Sequence, residues 1–82
     1  MRLDKQRIVV TGAFGTLGAA VVHAAVEAGA QVAAIDRLSM THRTGARCSF
    51  GGVDLADVDE AQRAIDSAAE ALGGLDALVN IA

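Results

Sequence analysis

Short apolar runs recur along this chain at intervals that suit alternating strands and helices. Residues 8–10 are all β-branched, which is typical of a strand buried on both faces of a parallel sheet. Residues 31–35 and 75–82 are largely apolar and predict two further strands. A run at residues 48–53 predicts another, although the glycine pair within it weakens the pattern. The chain therefore contains four predicted strands.

The stretch between the first two strands changes to helical spacing. Residues 16–28 predict a helix, and Gly29 follows as a residue suited to end it. The apolar stripe expected to face the sheet consists of Leu17, Val21, Ala24 and Ala28, widened by Ala20 and Ala25.

A second helix is predicted between the third and fourth strands. Asp57 opens it with Glu60 three residues later, the arrangement of a capping box with Asp in place of Ser or Thr. Gly73 and Gly74 are expected to stop it. Its predicted buried stripe is Val58, Ala61, Ile65, Ala68 and Leu72.

The order β-α-β-loop-β-α-β, with residues 37–46 as the loop, indicates an α/β fold. Strands that alternate with helices pair in parallel through right-handed crossovers. We therefore expect a parallel sheet in the order 3-2-1-4 with helices on both faces, ending after the fourth strand. Residues 1–82 form a single unit.

Three glycines follow the first strand at the point where the first helix begins. Gly12, Gly15 and Gly18 suit a turn that must be tight, must approach a pyrophosphate closely and must pack a helix against a strand. The helix N-terminus behind them favours anionic phosphates. Small residues that merely allow close packing are the alternative interpretation of the three glycines.

Asp36 ends the second strand, 18 residues after Gly18. A carboxylate at this place accepts the hydroxyl hydrogens of an adenosine ribose and repels a 2′-phosphate, so NAD(H) is expected in preference to NADP(H). Arg37 weighs toward NADP(H), because a guanidinium there could face a 2′-phosphate. A strand-end Asp that only caps the next turn is the other interpretation.

These motifs together resemble the short-chain dehydrogenase/reductase family along the whole chain. Asp54-Leu55 is similar to that family's adenine-contacting Asp, and residues 78–82 are similar to the Asn-Asn-Ala-Gly motif of its fourth strand. The resemblance implies an N-terminal part of a NAD(P)-binding Rossmann domain. The implied cofactor-binding residues are Gly12, Phe14, Gly15, Thr16, Leu17, Gly18, Asp36, Arg37, Asp54, Leu55, Asn80 and Ala82.

Two residues depart from the family pattern. The commonest form has its middle glycine at the position of Thr16, whereas this chain has it at Gly15, a spacing that resembles the longer epimerases and dehydratases. Ile81 replaces the second Asn of the strand motif. An epimerase-like enzyme that retains NAD therefore stays open as an alternative.

The family's hydride chemistry uses a Tyr, a Lys four residues later and a Ser. The chain contains no tyrosine, and its only lysine is Lys5, so no catalytic residue is assigned and the 82 residues alone are expected to be inactive. The resemblance implies the cofactor-binding portion of a longer NAD-dependent oxidoreductase acting on an alcohol or carbonyl substrate. A stand-alone dinucleotide-binding module without chemistry is the alternative.

Composition narrows the remaining classes. A net charge of −3 provides no basic surface for nucleic acid, and no apolar run is long enough to span a bilayer. The single Cys48 lacks any spacing that suits zinc, and the N-terminus does not resemble a signal peptide. We expect a cytoplasmic protein that binds neither metal, membrane nor nucleic acid. The family resemblance also implies that the protein assembles as a homo-oligomer.

Overall fold

The computed structural model describes residues 2–39 and 44–81. Residues 40–43 of the predicted loop lie outside this part of the chain, as does Ala82. Two helices and four strands occur in the order β1 Arg7–Thr11, α1 Thr16–Glu27, β2 Gln31–Ile35, β3 Cys48–Phe50, α2 Val58–Leu72 and β4 Ala77–Asn80.

The four strands form one parallel sheet in the order β3-β2-β1-β4, as the sequence predicts. β1 pairs with β2 from Arg7↔Gln31 to Thr11↔Ile35. On its other side β1 pairs with β4, which places Thr11 opposite Asn80. All carboxyl ends therefore lie along one edge of the sheet, where the predicted motifs follow the strands.

The strands alternate their side chains between two separate cores. Val10 and Val32 pack with Val22 of α1 on one face of the sheet. Val9 and Ile35 pack on the opposite face, where α2 lies. Helices on both faces confirm the predicted layering. Each fully buried aliphatic side chain of this kind contributes about 1.5–3 kcal/mol to folding.

The predicted stripe of α1 is right at Ala25 and Val21, which face the core, but wrong at the exposed residues Leu17, Ala20 and Ala24. Gly18, Val22 and Ala25 are the buried residues, whereas Leu17 is 65% exposed and Ala24 is exposed as well. Nearly every position of this helix is small or apolar, so its periodicity does not define one face. The close approach of Gly18 to the strand-to-helix turn decides which side faces the sheet.

The start of α2 confirms half of the predicted capping box. The Asp57 side chain accepts from the Glu60 backbone N–H at 3.1 Å, but the Glu60 carboxylate accepts from the Asp54 N–H instead of the Asp57 N–H. Val58 is 79% exposed, contrary to its predicted place in the buried stripe, and Ala64 is buried in addition to Ala68 and Leu72. Gly73 ends the helix with a φ of 80°.

β4 begins later than predicted because an ionic contact fixes the turn before it. The Arg7 guanidinium donates to both carboxylate oxygens of Asp76, at 3.0 and 3.2 Å, and to the Gly73 carbonyl at 2.8 Å. The Arg7 backbone N–H adds a further bond to Asp76 at 2.8 Å. These contacts attach the end of α2 to the start of β1, and the strand then runs only from Ala77.

Asp76→Asn is expected to destabilise the protein in a pH-dependent way. The hydrogen bonds from Arg7 lower the pKa of Asp76 in the folded state. A lowered folded-state pKa stabilises the fold above the unfolded value of about 3.9 and loses that effect as pH falls through the folded value. The difference in free energy of unfolding between native protein and variant should be full at pH 7 and shrink below about pH 4. Urea titrations across this range measure it.

The exposed Asp66→Asn variant controls for general loss of negative charge, since the Asp66 side chain accepts a hydrogen bond from Gln62 on the same helix and, within the described residues, forms no ion pair. A difference for Asp76→Asn that stays constant from pH 7 to pH 3 would contradict the assigned ionic contact.

Candidate functional site

A cleft of about 310 Å³ opens at the carboxyl edge of the sheet. Three successive strand ends supply its walls: the turn after β1, the end of β2 and the segment after β3. Its lining residues are Gly12, Asp36, Arg37, Asp54, Leu55 and Ala56. Five of the six are predicted from the sequence. Ala56, which the sequence reasoning missed, directly follows the Asp54-Leu55 pair.

The turn after β1 requires two of its three glycines for reasons internal to the protein. Gly12 has a φ of 68°, in the left-handed region that favours glycine. A Cβ on Gly18 would overlap the Gly12 carbonyl oxygen and would lie 2.8 Å from the Ala13 Cα. Gly18 thus lets α1 press against the turn, the task expected of the third glycine.

Gly15 is different, because neither its backbone nor the described residues around it require a glycine. Its φ of −77° and ψ of 174° are open to any residue. A Cβ on Gly15 would lie 3.9 Å from the Gly12 carbonyl oxygen, its nearest neighbour. The missing side chain leaves an open cradle at the head of α1. A molecule that approaches the backbone closely has room there.

The N-terminus of α1 lies directly behind this cradle. Its N-cap is Gly15, which has no side chain to accept from the first-turn N–H groups, and residues 16–19 contain no acid. In α2, by contrast, Asp57 caps the helix and acids occupy the first turn. The uncapped N–H groups and the helix dipole of α1 therefore favour an anion. Thr16 and Leu17 are exposed in this first turn.

Asp36 is buried at the centre of the cleft wall, with 7% of its surface exposed. One carboxylate oxygen accepts from the Phe14 N–H at 2.8 Å and the other from the Leu38 N–H at 3.0 Å. The contact with Leu38 is the turn-capping role that the sequence left open. Because a carboxylate has about four acceptor positions, these two bonds leave capacity for a ligand.

Asp54 and Leu55 form the opposite wall. The Asp54 carboxylate accepts from the Ala56 N–H at 3.0 Å, and the Asp54 N–H donates to Glu60 at 3.1 Å. Leu55 is partly buried against the core on the α2 face. Glu60 thus positions this segment. The sequence predicted only a part in helix capping for Glu60. Its spacing of six residues from Asp54 gave no signal for this contact.

Asn80 and Phe14 lie outside the cleft lining, as do the predicted residues at the head of α1, Gly15, Thr16, Leu17 and Gly18. The Thr11 hydroxyl, on a residue only 4% exposed, donates to the Asn80 side-chain oxygen at 2.5 Å. This bond fixes the amide at the end of β4, beside the glycine turn. Phe14 is partly buried against the core on the α1 face. The predicted residue Ala82 lies outside the described residues.

The sequence from residue 6 to residue 82 matches the family described as short chain dehydrogenase. The chain belongs to the short-chain dehydrogenase family. It is 36% identical over 90 aligned residues to D-threitol dehydrogenase of Mycolicibacterium smegmatis, a match that covers 99% of this chain and 34% of that protein. The chain therefore spans about a third of the length of this relative.

A solved structure also supports the fold. The crystal structure of gox2181 superimposes with a TM-score of 0.81 at 33% identity, covering 96% of this chain and 34% of that one. The four-stranded sheet with its two helices is thus a Rossmann-like α/β fold. Membership of this family implies a nicotinamide dinucleotide cofactor.

An apolar groove of this short-chain dehydrogenase chain lies apart from the cleft. A groove of about 340 Å³ runs between α1 and β4, and its lining includes Leu3, Val21, Ala24 and Val79. Its walls are aliphatic, so it contributes no reactive group.

In the part of the chain that the structure describes, no helix has the length and apolarity that crossing a membrane requires.

Proposed function

We propose that the chain binds NAD(H) as the cofactor-binding portion of an oxidoreductase that acts on an alcohol or carbonyl substrate. The observation that carries this proposal is the open cradle at Gly15, where neither backbone conformation nor packing explains the missing side chain. A dinucleotide explains it, since its pyrophosphate must approach the turn more closely than a Cβ allows.

The residues of the cleft fit the parts of such a cofactor. The first-turn N–H groups of α1 would hold the pyrophosphate, and the remaining acceptor positions of Asp36 would take the hydroxyl hydrogens of the adenosine ribose. Asp54 and Leu55 would hold the adenine. When bound, the cofactor supplies the hydride that an oxidoreductase transfers.

The buried carboxylate of Asp36 favours NAD(H) over NADP(H). A 2′-phosphate would have to approach a carboxylate that two N–H groups hold in place. Because this carboxylate is buried, little water screens the repulsion between the two negative charges. Arg37 lines the same cleft but is exposed, so its attraction for a phosphate is screened more strongly.

Asp36→Ala is expected to weaken NADH binding by about tenfold or more, because hydrogen bonds to a charged acceptor contribute roughly 1.5–3 kcal/mol each. NADPH should lose less, so the discrimination between the two cofactors should fall. Fluorescence titration of the natural gene product with each cofactor measures both constants. Equal losses for NADH and NADPH would contradict the assigned preference, and no binding of either by the native protein would overturn the proposed function.

The hydride chemistry requires groups that these 82 residues do not contain, since the chain has no tyrosine. We propose a longer natural protein that supplies the catalytic residues and the substrate site and that assembles as a cytoplasmic homo-oligomer. The intact mass of the natural gene product tests this directly. A mass near the 8.3 kDa of this chain would instead favour a binding module without chemistry.

An epimerase-like enzyme is a second candidate, favoured by the glycine spacing at Gly12, Gly15 and Gly18. Such an enzyme keeps its NAD through the catalytic cycle. The absorbance of NAD(H) remaining with the protein after extensive dialysis separates the two candidates, because a dehydrogenase must exchange its cofactor.

A further inference from the structure

Asp36 connects all three segments that form the cleft. Its carboxylate binds Phe14 of the glycine turn and Leu38 of its own loop. Its backbone N–H donates to the Phe50 carbonyl at 3.0 Å, and its own carbonyl accepts from the Val53 N–H at 3.0 Å. One residue thus contacts the segments after β1, β2 and β3.

Contacts from outside hold the glycine turn, and one of them is the bond from the Ala13 N–H to the Ile35 carbonyl at 3.2 Å. Glycine loses more conformational freedom on ordering than any other residue, and the turn contains Gly12 and Gly15 within four positions. Among the described residues, apart from its chain neighbours, nothing lies closer than 3.9 Å to the place of a Cβ on Gly15, so side-chain packing adds little constraint there. The hydrogen bond from Phe14 to Asp36, between these two glycines, holds the turn at a charged and buried acceptor.

We infer that Asp36 is a positioning residue for the glycine turn, in addition to its proposed contact with the ribose. This inference rests on the proposed function, because it concerns the same cleft. Asp36 holds the turn in its anion-accepting shape before any ligand arrives. Less conformational freedom is then lost on binding, which raises affinity.

The inference changes the sign of an expected effect. If Asp36 acted on the ribose alone, removing its negative charge would leave the binding of a bare pyrophosphate unchanged or would strengthen it, since like charges repel. If Asp36 positions the turn, the same change weakens pyrophosphate binding. The two roles are therefore distinguished by a ligand that has no ribose.

Asp36→Asn is the variant of choice. The Asn carbonyl can accept from one of the two N–H groups. Its amide N–H₂ faces the other N–H, and because both groups are donors no hydrogen bond forms there. Inorganic pyrophosphate and, separately, adenosine are titrated into the folded natural gene product by NMR. Asp57→Asn is the matched control, since it alters a hydrogen-bonded carboxylate at the start of α2.

We expect pyrophosphate to bind roughly threefold to tenfold more weakly to Asp36→Asn, the scale of one lost hydrogen bond to a charged group. The Asp57→Asn variant should bind it normally. Unchanged or tighter pyrophosphate binding by Asp36→Asn would overturn the inference while leaving the proposed function intact. Native protein that binds neither NADH nor pyrophosphate would overturn both.

Amide hydrogen exchange in the native protein tests the same inference without a variant. The Phe14 N–H should exchange about tenfold or more slowly than those of Thr16 and Leu17, which have no intrahelical acceptor. Exchange of Phe14 as fast as that of Thr16, in protein free of ligand, would show that Asp36 does not hold the turn.

Discussion

Gly18→Ala is expected to lower the free energy of unfolding by about 3 kcal/mol or more, near the upper end for overpacked sites. The added Cβ would overlap the Gly12 carbonyl oxygen and would lie 2.8 Å from the Ala13 Cα. These neighbours are backbone atoms, so no flexible side chain can yield. The change must separate α1 from β1, and with it the α1 face of the core.

Gly15→Ala is the matched control, because it makes the same substitution three residues earlier. There the nearest described atom outside the neighbouring residues is the Gly12 carbonyl oxygen, at 3.9 Å. Urea unfolding of the two variants beside native protein gives the comparison. Equal stability of native protein and Gly18→Ala would mean that α1 does not pack on the turn as described.

The second large effect concerns ligand affinity instead of stability. Gly15→Ala should weaken NADH binding by at least about tenfold, since a methyl group in the cradle enforces either a clash or a displaced pyrophosphate. The backbone at Gly15 suits alanine, and alanine at an N-cap costs little, so the free energy of unfolding should stay within about 1 kcal/mol of the native value. Calorimetric titration with NADH and urea unfolding measure the two quantities.

This separation between affinity and stability makes the prediction specific. A Gly15→Ala variant that binds NADH as well as native protein would remove the main support for the proposed function. A variant that loses stability and affinity together would place Gly15 among the packing glycines, with Gly18.

The sequence predicts the sheet well because its strands are short, apolar and bounded by polar residues or glycines. The runs at residues 8–10 and 31–35 lie within β1 and β2. The buried face of α1 was not predictable in the same way. With alanine or valine at most positions, hydrophobicity is similar all round the helix, and a steric contact at Gly18 decides the orientation.

The positions of the cleft residues were predictable, but the bonds that hold them were not. Each motif follows a strand, and parallel strands bring their carboxyl ends together. The hydrogen bond from Phe14 to Asp36 spans 22 residues, and the ionic contact of Arg7 with Asp76 spans 69. Spacing of this length leaves no periodic trace in a sequence, so only the folded chain reveals these pairs.

The distance between Arg7 and Asp76 along the chain has a consequence for biosynthesis. β1 is the inner strand between β2 and β4, yet β4 follows the other three described strands along the chain. At roughly 5–20 residues per second, the 69 residues that separate the contact take about 3–14 seconds to synthesise. Throughout that time one edge of β1, with Val9 and Val10, has no neighbouring strand. The nascent chain is therefore exposed to aggregation on the ribosome until Asp76 can contact Arg7.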